Sequence, residues 1–362
     1  MSKTLLMGPL SPPYTGQSIA FSSIANQFVS DKNSIIINIS NKDNVWLGVL
    51  LCFKIVFTVL FNKIHVIYFT CSRSFSGSIR DIVLLLCARI KKVRVINHLH
   101  GNTFYDFYHS SYSWYRPIIK YCYDWVDTSI VLLPKMMSQF KDFPKMKIEV
   151  IANSYSSELD NLPKEKVYKK DSSLELVYLS NIMESKGVIN LLKACGGVFE
   201  NNSQITLTIA GDYIGDYLCS KSQIKQKFDF LFNELKLKYP NQINYLGIVK
   251  GEKKERLLWN ADVFILPTYH PSEAFPISII EAMRAGNFII STNHNLLPDV
   301  VSQGNGLLIT PNSVDAIINV IENVASLNRE NLCVVQNYNI QHAIKNYQEQ
   351  KYVGQVLLII KE

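Results

Sequence analysis

The feature that most constrains this 362-residue chain is an alternation that runs twice. Short apolar runs, rich in Ile and Val, alternate with longer helix-forming segments. In the first half the predicted strands are Lys3 to Gly8, Ser34 to Ile39, His65 to Thr70, Val93 to Leu99 and Thr128 to Leu133. Helices are predicted between them, at Gln17 to Val29, Val45 to Phe61, Asp81 to Arg89 and Tyr112 to Tyr123. Fully apolar strands separated by helices fit a parallel sheet covered on both faces. The pattern restarts with strands at Leu174 to Leu179, Ile205 to Ala210, Asn244 to Leu246, Val263 to Leu266 and Phe288 to Ser291, and a further one at Gly306 to Ile309. Helices follow at Gly187 to Cys195, Lys221 to Leu237, Gly251 to Asn260 and Ile277 to Ala285. Val314 to Leu327 and Ile340 to Ile359 close the chain as helices. The expected fold is α/β, with two Rossmann-like doubly wound domains facing a cleft. The polar stretch holding Lys164, Lys166, Lys169, Lys170 and Asp171 reads as the linker. The expected domains are 1–165 and 166–340, with 341–362 as a terminal helix that returns to the first domain. In open parallel sheets, ligands bind beyond the carboxyl ends of the strands, so the cleft suits a two-part substrate.

Composition narrows the classes. The chain is 48% apolar and carries a net charge of +7. That charge is uneven: residues 1–150 hold 17 Lys/Arg against 8 Asp/Glu, and residues 151–362 hold 20 against 22. A basic first half suits an anionic partner. Nucleic acid and an anionic membrane face are the two options, with an unpartnered solvated surface as the plain alternative. Seven cysteines, at 52, 71, 87, 122, 195, 219 and 333, show no C-x-x-C spacing and read as reduced core thiols. The first residues do not read as a signal peptide. Val45 to Phe61 is the most membrane-like run, yet at 17 residues with Lys54 inside it reads as a buried or interfacial helix.

The sharpest chemical pattern is Glu273-Ala274-Phe275-Pro276-Ile277-Ser278-Ile279-Ile280-Glu281. Pro276 suits a first helical turn. Glu273 then lies just before the helix and Glu281 about a turn and a half inside. Free amides at such a helix end bind anions or sugar hydroxyls, and a carboxylate such as Glu281 can accept from both hydroxyls of a ribose. Alone, two spaced glutamates are a weak pattern and are better described as a first-turn charge and a solvated helix residue. Lys186, between the first strand and helix of the second half, is placed to face a phosphate at a helix N-terminus. Gly16, after the first strand, is placed where backbone can approach a phosphate closely.

Taken in order, Gly16, His98-Leu99-His100-Gly101, Ser180 to Gly187, Ala210-Gly211-Asp212, Tyr245-Leu246-Gly247 and Glu273 to Glu281 followed by Ala282-Met283-Arg284-Ala285-Gly286 form a joint signal. On these residues the chain resembles the retaining, nucleotide-sugar-dependent glycosyltransferases of family 4, which have the GT-B fold. The resemblance implies that Lys186 holds the donor diphosphate, Glu281 the ribose, and Glu273 the hydroxyls of the transferred sugar, with Ala274, Phe275 and Pro276 beside it. Gly16 would sit by the diphosphate and acceptor, and His100 against the sugar near the reacting carbon, with His98 structural. Where the family commonly has Arg, this chain has Asn181, and Arg256 and Arg284 stand as substitutes for the missing charge. Ala274 stands where Gly is frequent. No Asp-x-Asp occurs, so no metal and no cofactor beyond the nucleotide sugar are expected. The expected partners are that donor, a saccharide or lipid-diphosphate-linked saccharide acceptor, and the membrane surface, with no nucleic acid. The expected function is a retaining, hexosyltransferase-type glycosyltransferase of bacterial surface polysaccharide (O-antigen, capsule or lipopolysaccharide) biosynthesis, cytoplasmic and peripheral on the inner face of the plasma membrane. An epimerase or phosphorylase on the same fold is the alternative. A nicotinamide or flavin oxidoreductase would need G-x-G-x-x-G after a strand, which is missing. A non-catalytic binding protein is disfavoured by the presence of Lys186, Glu273 and Glu281.

Overall fold

The computed structural model describes residues 2–40, 45–167 and 173–362. Lys169, Lys170 and Asp171 of the expected linker lie outside the described residues. The chain divides into two compact units, one of residues 1–153 with 349–362, the other of residues 154–348.

The first unit contains β1 (Lys3–Gly8), α1 (Gly16–Asn26), β2 (Ser34–Asn38), α2 (Val45–Phe61), β3 (Ile64–Thr70), α3 (Phe75–Lys91), β4 (Arg94–Leu99), α4 (Phe104–Ser110), α5 (Arg116–Tyr123), β5 (Thr128–Val131) and β6 (Lys147–Val150). The second contains β7 (Leu174–Leu179), α6 (Val188–Asn201), β8 (Ile205–Ala210), α7 (Lys221–Lys238), β9 (Ile243–Tyr245), α8 (Glu252–Asn260), β10 (Val263–Ile265), α9 (Ile277–Arg284), β11 (Phe288–Thr292), β12 (Gly306–Ile309), α10 (Val314–Ser326) and α11 (Arg329–Asn346). The last helix, α12 (Glu349–Lys361), belongs to the first unit. There it packs on α1, with Tyr352 donating to the Ala20 carbonyl at 3.3 Å, and Arg94 donating to the Ile359 carbonyl at 2.8 Å.

Each unit is built on a six-stranded sheet, ordered β2-β1-β3-β4-β5-β6 and β12-β11-β10-β7-β8-β9, with every pairing parallel. The strands are apolar because both faces are covered: Leu5, Leu6 and Met7 of β1 and Val263, Phe264 and Ile265 of β10 are fully buried. The expected two-domain α/β fold is therefore observed. In each sheet the chain builds outward to one side, then crosses back and builds to the other. This reversal puts a switch point between β1 and β3 in the first sheet and between β7 and β10 in the second. Loops leaving the carboxyl ends of such neighbouring strands diverge and open a binding crevice.

Some elements differ from expectation. The helix expected over 112–123 is shorter, α5 starting at Arg116, and α4, the strand β6 and the 3₁₀ turn Pro134–Phe140 were not foreseen. The closing helix starts at Arg329, not Ile340, and a break at Tyr347 separates it from α12. Its early part buries polar side chains, which breaks the apolar stripe. Asn339 donates to the carbonyls of Asn287 and Asn305 at 2.7 and 2.9 Å, and Gln336 to that of Asp262 at 3.0 Å. Lys164 and Lys166 are likewise fixed on α11: the Lys164 carbonyl accepts from Gln341, and the Lys166 N–H donates to Asn337 Oδ1.

Candidate functional site

In the second unit the two loops at the switch point carry Lys186 and Glu273, and the structure brings them into direct contact. Lys186 closes the 3₁₀ turn Glu184–Lys186 that follows β7. Gly187 then takes a left-handed φ of 79° and starts α6. A side chain there would meet the backbone, since a Cβ on Gly187 would stand 2.1 Å from the Pro267 carbonyl oxygen at the end of the β10 run. Close packing of the two loops thus requires glycine. The loops are also joined by hydrogen bonds to the Ser185 carbonyl, from the Tyr269 N–H at 2.8 Å and the Thr268 hydroxyl at 3.4 Å.

Glu273 is only 7% exposed. Its Oε2 is paired with the Lys186 ammonium and accepts from the Thr268 hydroxyl at 3.1 Å. Burial alone would raise its pKa. The Lys186 charge and hydrogen bond, with His270 and Thr268, outweigh that and hold the carboxyl below its ordinary range. His270, which the sequence did not flag, organises this loop. Its Nδ1 lies 2.9 Å from the Ser185 hydroxyl and its Nε2 lies 3.1 Å from that of Ser272. Its carbonyl accepts from the Glu273 N–H at 3.0 Å. A carboxylate kept ionised and oriented in this way can accept hydrogen bonds from sugar hydroxyls without reorganising.

Glu281, 4% exposed, lies on the second turn of α9 and pairs with Lys254 of α8 at 2.7 Å. Burial opposes the Lys254 charge, but the Glu281 carboxylate outweighs it and raises that pKa. Lys254 was missed, and Arg256 and Arg284 are corrected as substitutes for the absent arginine. Arg256 is paired with Glu252 on the exposed side of α8. Arg284 is 1% exposed and donates to the carbonyls of Asp160, Leu162 and Pro163. The signal for Lys254 was present: it lies one turn before Leu258, which is fully buried, whereas Arg256 points elsewhere around the helix. Asn181 follows β7, where its carbonyl accepts from Tyr178 at 3.1 Å. Ala274, Phe275 and Pro276 form the buried entry to α9, with Phe275 edge-on to Tyr347, and no side chain caps this helix. Among the described residues, no group of three His, Cys, Asp or Glu side chains is placed to hold a metal. The cavity of about 350 Å³ lined by Trp259, Asp262 and Arg329 lies at the amino end of β10, opposite the edge that carries Lys186 and Glu273.

In the first unit, Gly16 begins α1 beside an N-cap formed by Thr15, and a Cβ on it would meet nothing within 4 Å. His98 is fully buried at the end of β4, its Nδ1 2.7 Å from the Tyr68 hydroxyl. His100 stacks on it at 4.0 Å. Part of the His100 residue reaches solvent, yet both ring nitrogens are buried and have no hydrogen-bond partner. Burial, and then the Arg73 charge, push the His100 pKa down to about 3 from 6.5. Between those values the unfolded chain binds a proton that the folded chain refuses, so this contribution to stability is full above pH 6.5 and is lost as pH falls. Urea midpoints are therefore expected to fall from pH 7 to pH 5. The fall should be smaller in His100→Gln, and an equal slope in both proteins would refute the assignment.

The two all-parallel six-stranded units define the chain as a two-domain α/β protein of the kind that binds ligands at sheet switch points. A family match fixes the class further: the chain belongs to the glycosyl transferases group 1 family, whose model matches residues 161–350, just over half of its length. It is similar to a glycosyltransferase of Methanocaldococcus jannaschii, 25% identical over 162 residues, which are 43% of this chain and 37% of that protein. It is also similar to O-antigen chain mannosyltransferase B of Escherichia coli, 40% identical over 75 residues, 21% of this chain and 19% of that protein. The chain thus spans well under half of the curated relatives it matches. Among solved structures, Anabaena HepE in complex with UDP covers 99% of both chains, with a TM-score of 0.73 at 15% identity, a likeness of GT-B fold.

Proposed function

We propose that this chain transfers a sugar from a nucleoside diphosphate sugar to a saccharide acceptor with retention of configuration, as family 4 glycosyltransferases do. The observation that carries this reading is the convergence of Lys186 and Glu273 at the switch point of the second sheet. Breaking the bond from the sugar carbon to the diphosphate leaves positive charge on the sugar and negative charge on the phosphate. Lys186 stabilises the departing phosphate, and the uncapped start of α9 adds its dipole. Glu273 orients the sugar through its hydroxyls, and Glu281 accepts from the ribose, with Lys254 paired to it at 2.7 Å and fixing its orientation. The acceptor oxygen bonds to the sugar carbon on the face the phosphate leaves, and its proton passes to a leaving phosphate oxygen. No metal takes part in this scheme. The UDP in the HepE complex supports a uridine nucleotide as the first donor to try. A panel of nucleotide sugars tested by thermal shift should contain one that raises the melting temperature by several degrees, and that donor should be consumed only when a saccharide acceptor is added. Donor turnover without acceptor would favour an epimerase instead.

The acceptor in this reading is a lipid-diphosphate-linked saccharide of O-antigen or capsule assembly at the inner membrane face, a reading that the O-antigen relative supports. On α2, Trp46, Leu50, Phe53, Phe57 and Phe61 recur every three or four residues and are 61–76% exposed, while Ile55 and Val59 are fully buried on the side packed against α3. Lys54, Lys63, Lys91 and Lys92 around this stripe are exposed. Among the described residues no helix is long and apolar enough to cross a membrane. An apolar stripe flanked by lysines suits a helix lying in the interface of an anionic bilayer. The protein is expected to sediment with phosphatidylglycerol vesicles at low salt. Phe53→Ser with Phe57→Ser should weaken this by roughly tenfold or more without changing the melting temperature. No sedimentation at low salt would refute membrane docking.

A further inference from the structure

At the switch point of the first sheet stands a cation that the reading above does not use. Arg73 lies in the loop between β3 and α3, half-buried. The loop is pinned by the buried Asp81 carboxylate, whose Oδ2 accepts from the Ser72 N–H at 2.6 Å. Asp81 is itself committed to Arg80, which donates to Oδ1 from Nε at 3.1 Å and from Nη2 at 2.8 Å. Arg73 therefore has no carboxylate partner among the described residues. Its guanidinium lies directly over Gly101, where a Cβ would stand 1.7 Å from Nη1, and its hydrogen bond is a long one, 3.5 Å to the Thr103 hydroxyl. Withdrawal from water lowers its pKa.

At the ends of β3 and β4, buried polar atoms lack protein partners: both ring nitrogens of His100, which feels the Arg73 charge, His98 Nε2 and Thr70 Oγ1 on the paired strand ends, and Asn102 Oδ1. His98 and Thr70 are fully buried. A buried polar atom left unpaired costs about 1–3 kcal/mol, so this concentration beside a desolvated guanidinium indicates a ligand. The mixture of donors and acceptors asks for hydroxyls, and the guanidinium fork asks for an oxyanion.

We propose that Arg73, with His100 and Asn102, forms a subsite of the first unit for a hydroxylated molecule bearing an oxyanion, a phosphate ester or a uronate, and that this molecule is the acceptor. Calling it the acceptor rests on the transferase reading; the binding does not, and can be measured without turnover. A side chain at position 101 would have to displace the guanidinium from this place, so glycine there leaves the space to Arg73.

The test is nuclear magnetic resonance of the full chain with ¹³C-labelled histidine, with the His100 signal assigned through His100→Gln. Glucose 6-phosphate, glucuronate and neutral glucose are titrated in turn. Either charged sugar should move the His100 signal saturably and glucose should not, with the stronger of the two naming the anion. Arg73→Met should weaken that binding by roughly tenfold or more, and Arg73→Lys by less, which keeps the test decisive if the methionine variant folds poorly. Lys186→Met should leave it unchanged. If glucose binds as well as the charged sugars, if neither charged sugar moves the signal, or if Lys186→Met abolishes the effect, the subsite is refuted. Binding here together with a failed nucleotide-sugar panel would overturn only the transferase reading.

Discussion

Replacing Lys186 by methionine is expected to lower turnover by about 10²–10³-fold, the usual cost of removing one charge-stabilising group from a group-transfer site. The change also strands Glu273, a carboxylate 7% exposed whose Oε2 would keep only the Thr268 hydroxyl. Leaving a buried charge unpaired costs about 3–5 kcal/mol, so the single variant should melt lower, and the Glu273 carboxyl, freed of the ammonium, should titrate higher. The double variant Lys186→Met with Glu273→Gln removes the stranded charge. It should recover most of the melting temperature and none of the turnover. Steady-state kinetics beside calorimetric melting separates the two effects. Recovery of turnover together with stability would mean that the pair is only structural.

Gly187→Ala should destabilise the second unit by about 3 kcal/mol. Roughly 1–2 of these come from forcing a side chain into a left-handed backbone, and the rest from moving the Pro267 carbonyl, 2.1 Å from the new methyl. Because Pro267 precedes Thr268, whose hydroxyl bonds both Glu273 and the Ser185 carbonyl, the displacement reaches the site as well. Activity should therefore fall further than the folded fraction does. Gly16→Ala is the control: its Cβ meets nothing within 4 Å, so urea unfolding should report a change below about 0.5 kcal/mol. Equal losses at the two glycines would contradict the packing described for the β7 and β10 loops.

Every strand but β6 was legible as a short apolar run between helical or polar segments; β6 (Lys147–Val150) is a half-exposed edge strand that carries two charges and so lacks that signal. Lys186 and Glu273 were legible because each follows a strand and precedes a helix, which is where a parallel sheet places its ligand loops. What the chain concealed is mostly polar burial. The first part of α11 hides Gln336 and Asn339 against backbone carbonyls, and so lacks the apolar period of a buried helix. Arg284 has the composition of a phosphate ligand, yet its guanidinium is spent on three carbonyls. Lys254 looked like one more surface charge in Glu252-Lys253-Lys254-Glu255-Arg256 until its phase relative to Leu258 is considered. Arg73 carried no local sign at all, since its importance comes from neighbours about 30 residues on, on the next strand of the sheet.

The decisive measurement is a calorimetric titration of the full chain with the nucleotide sugar that the panel selects, set beside Lys186→Met and Glu281→Gln. Binding in the unaltered protein, weakened by roughly tenfold or more in each variant, is the predicted result. Undiminished affinity in Lys186→Met would contradict a donor site built from the second unit's lysine and glutamates.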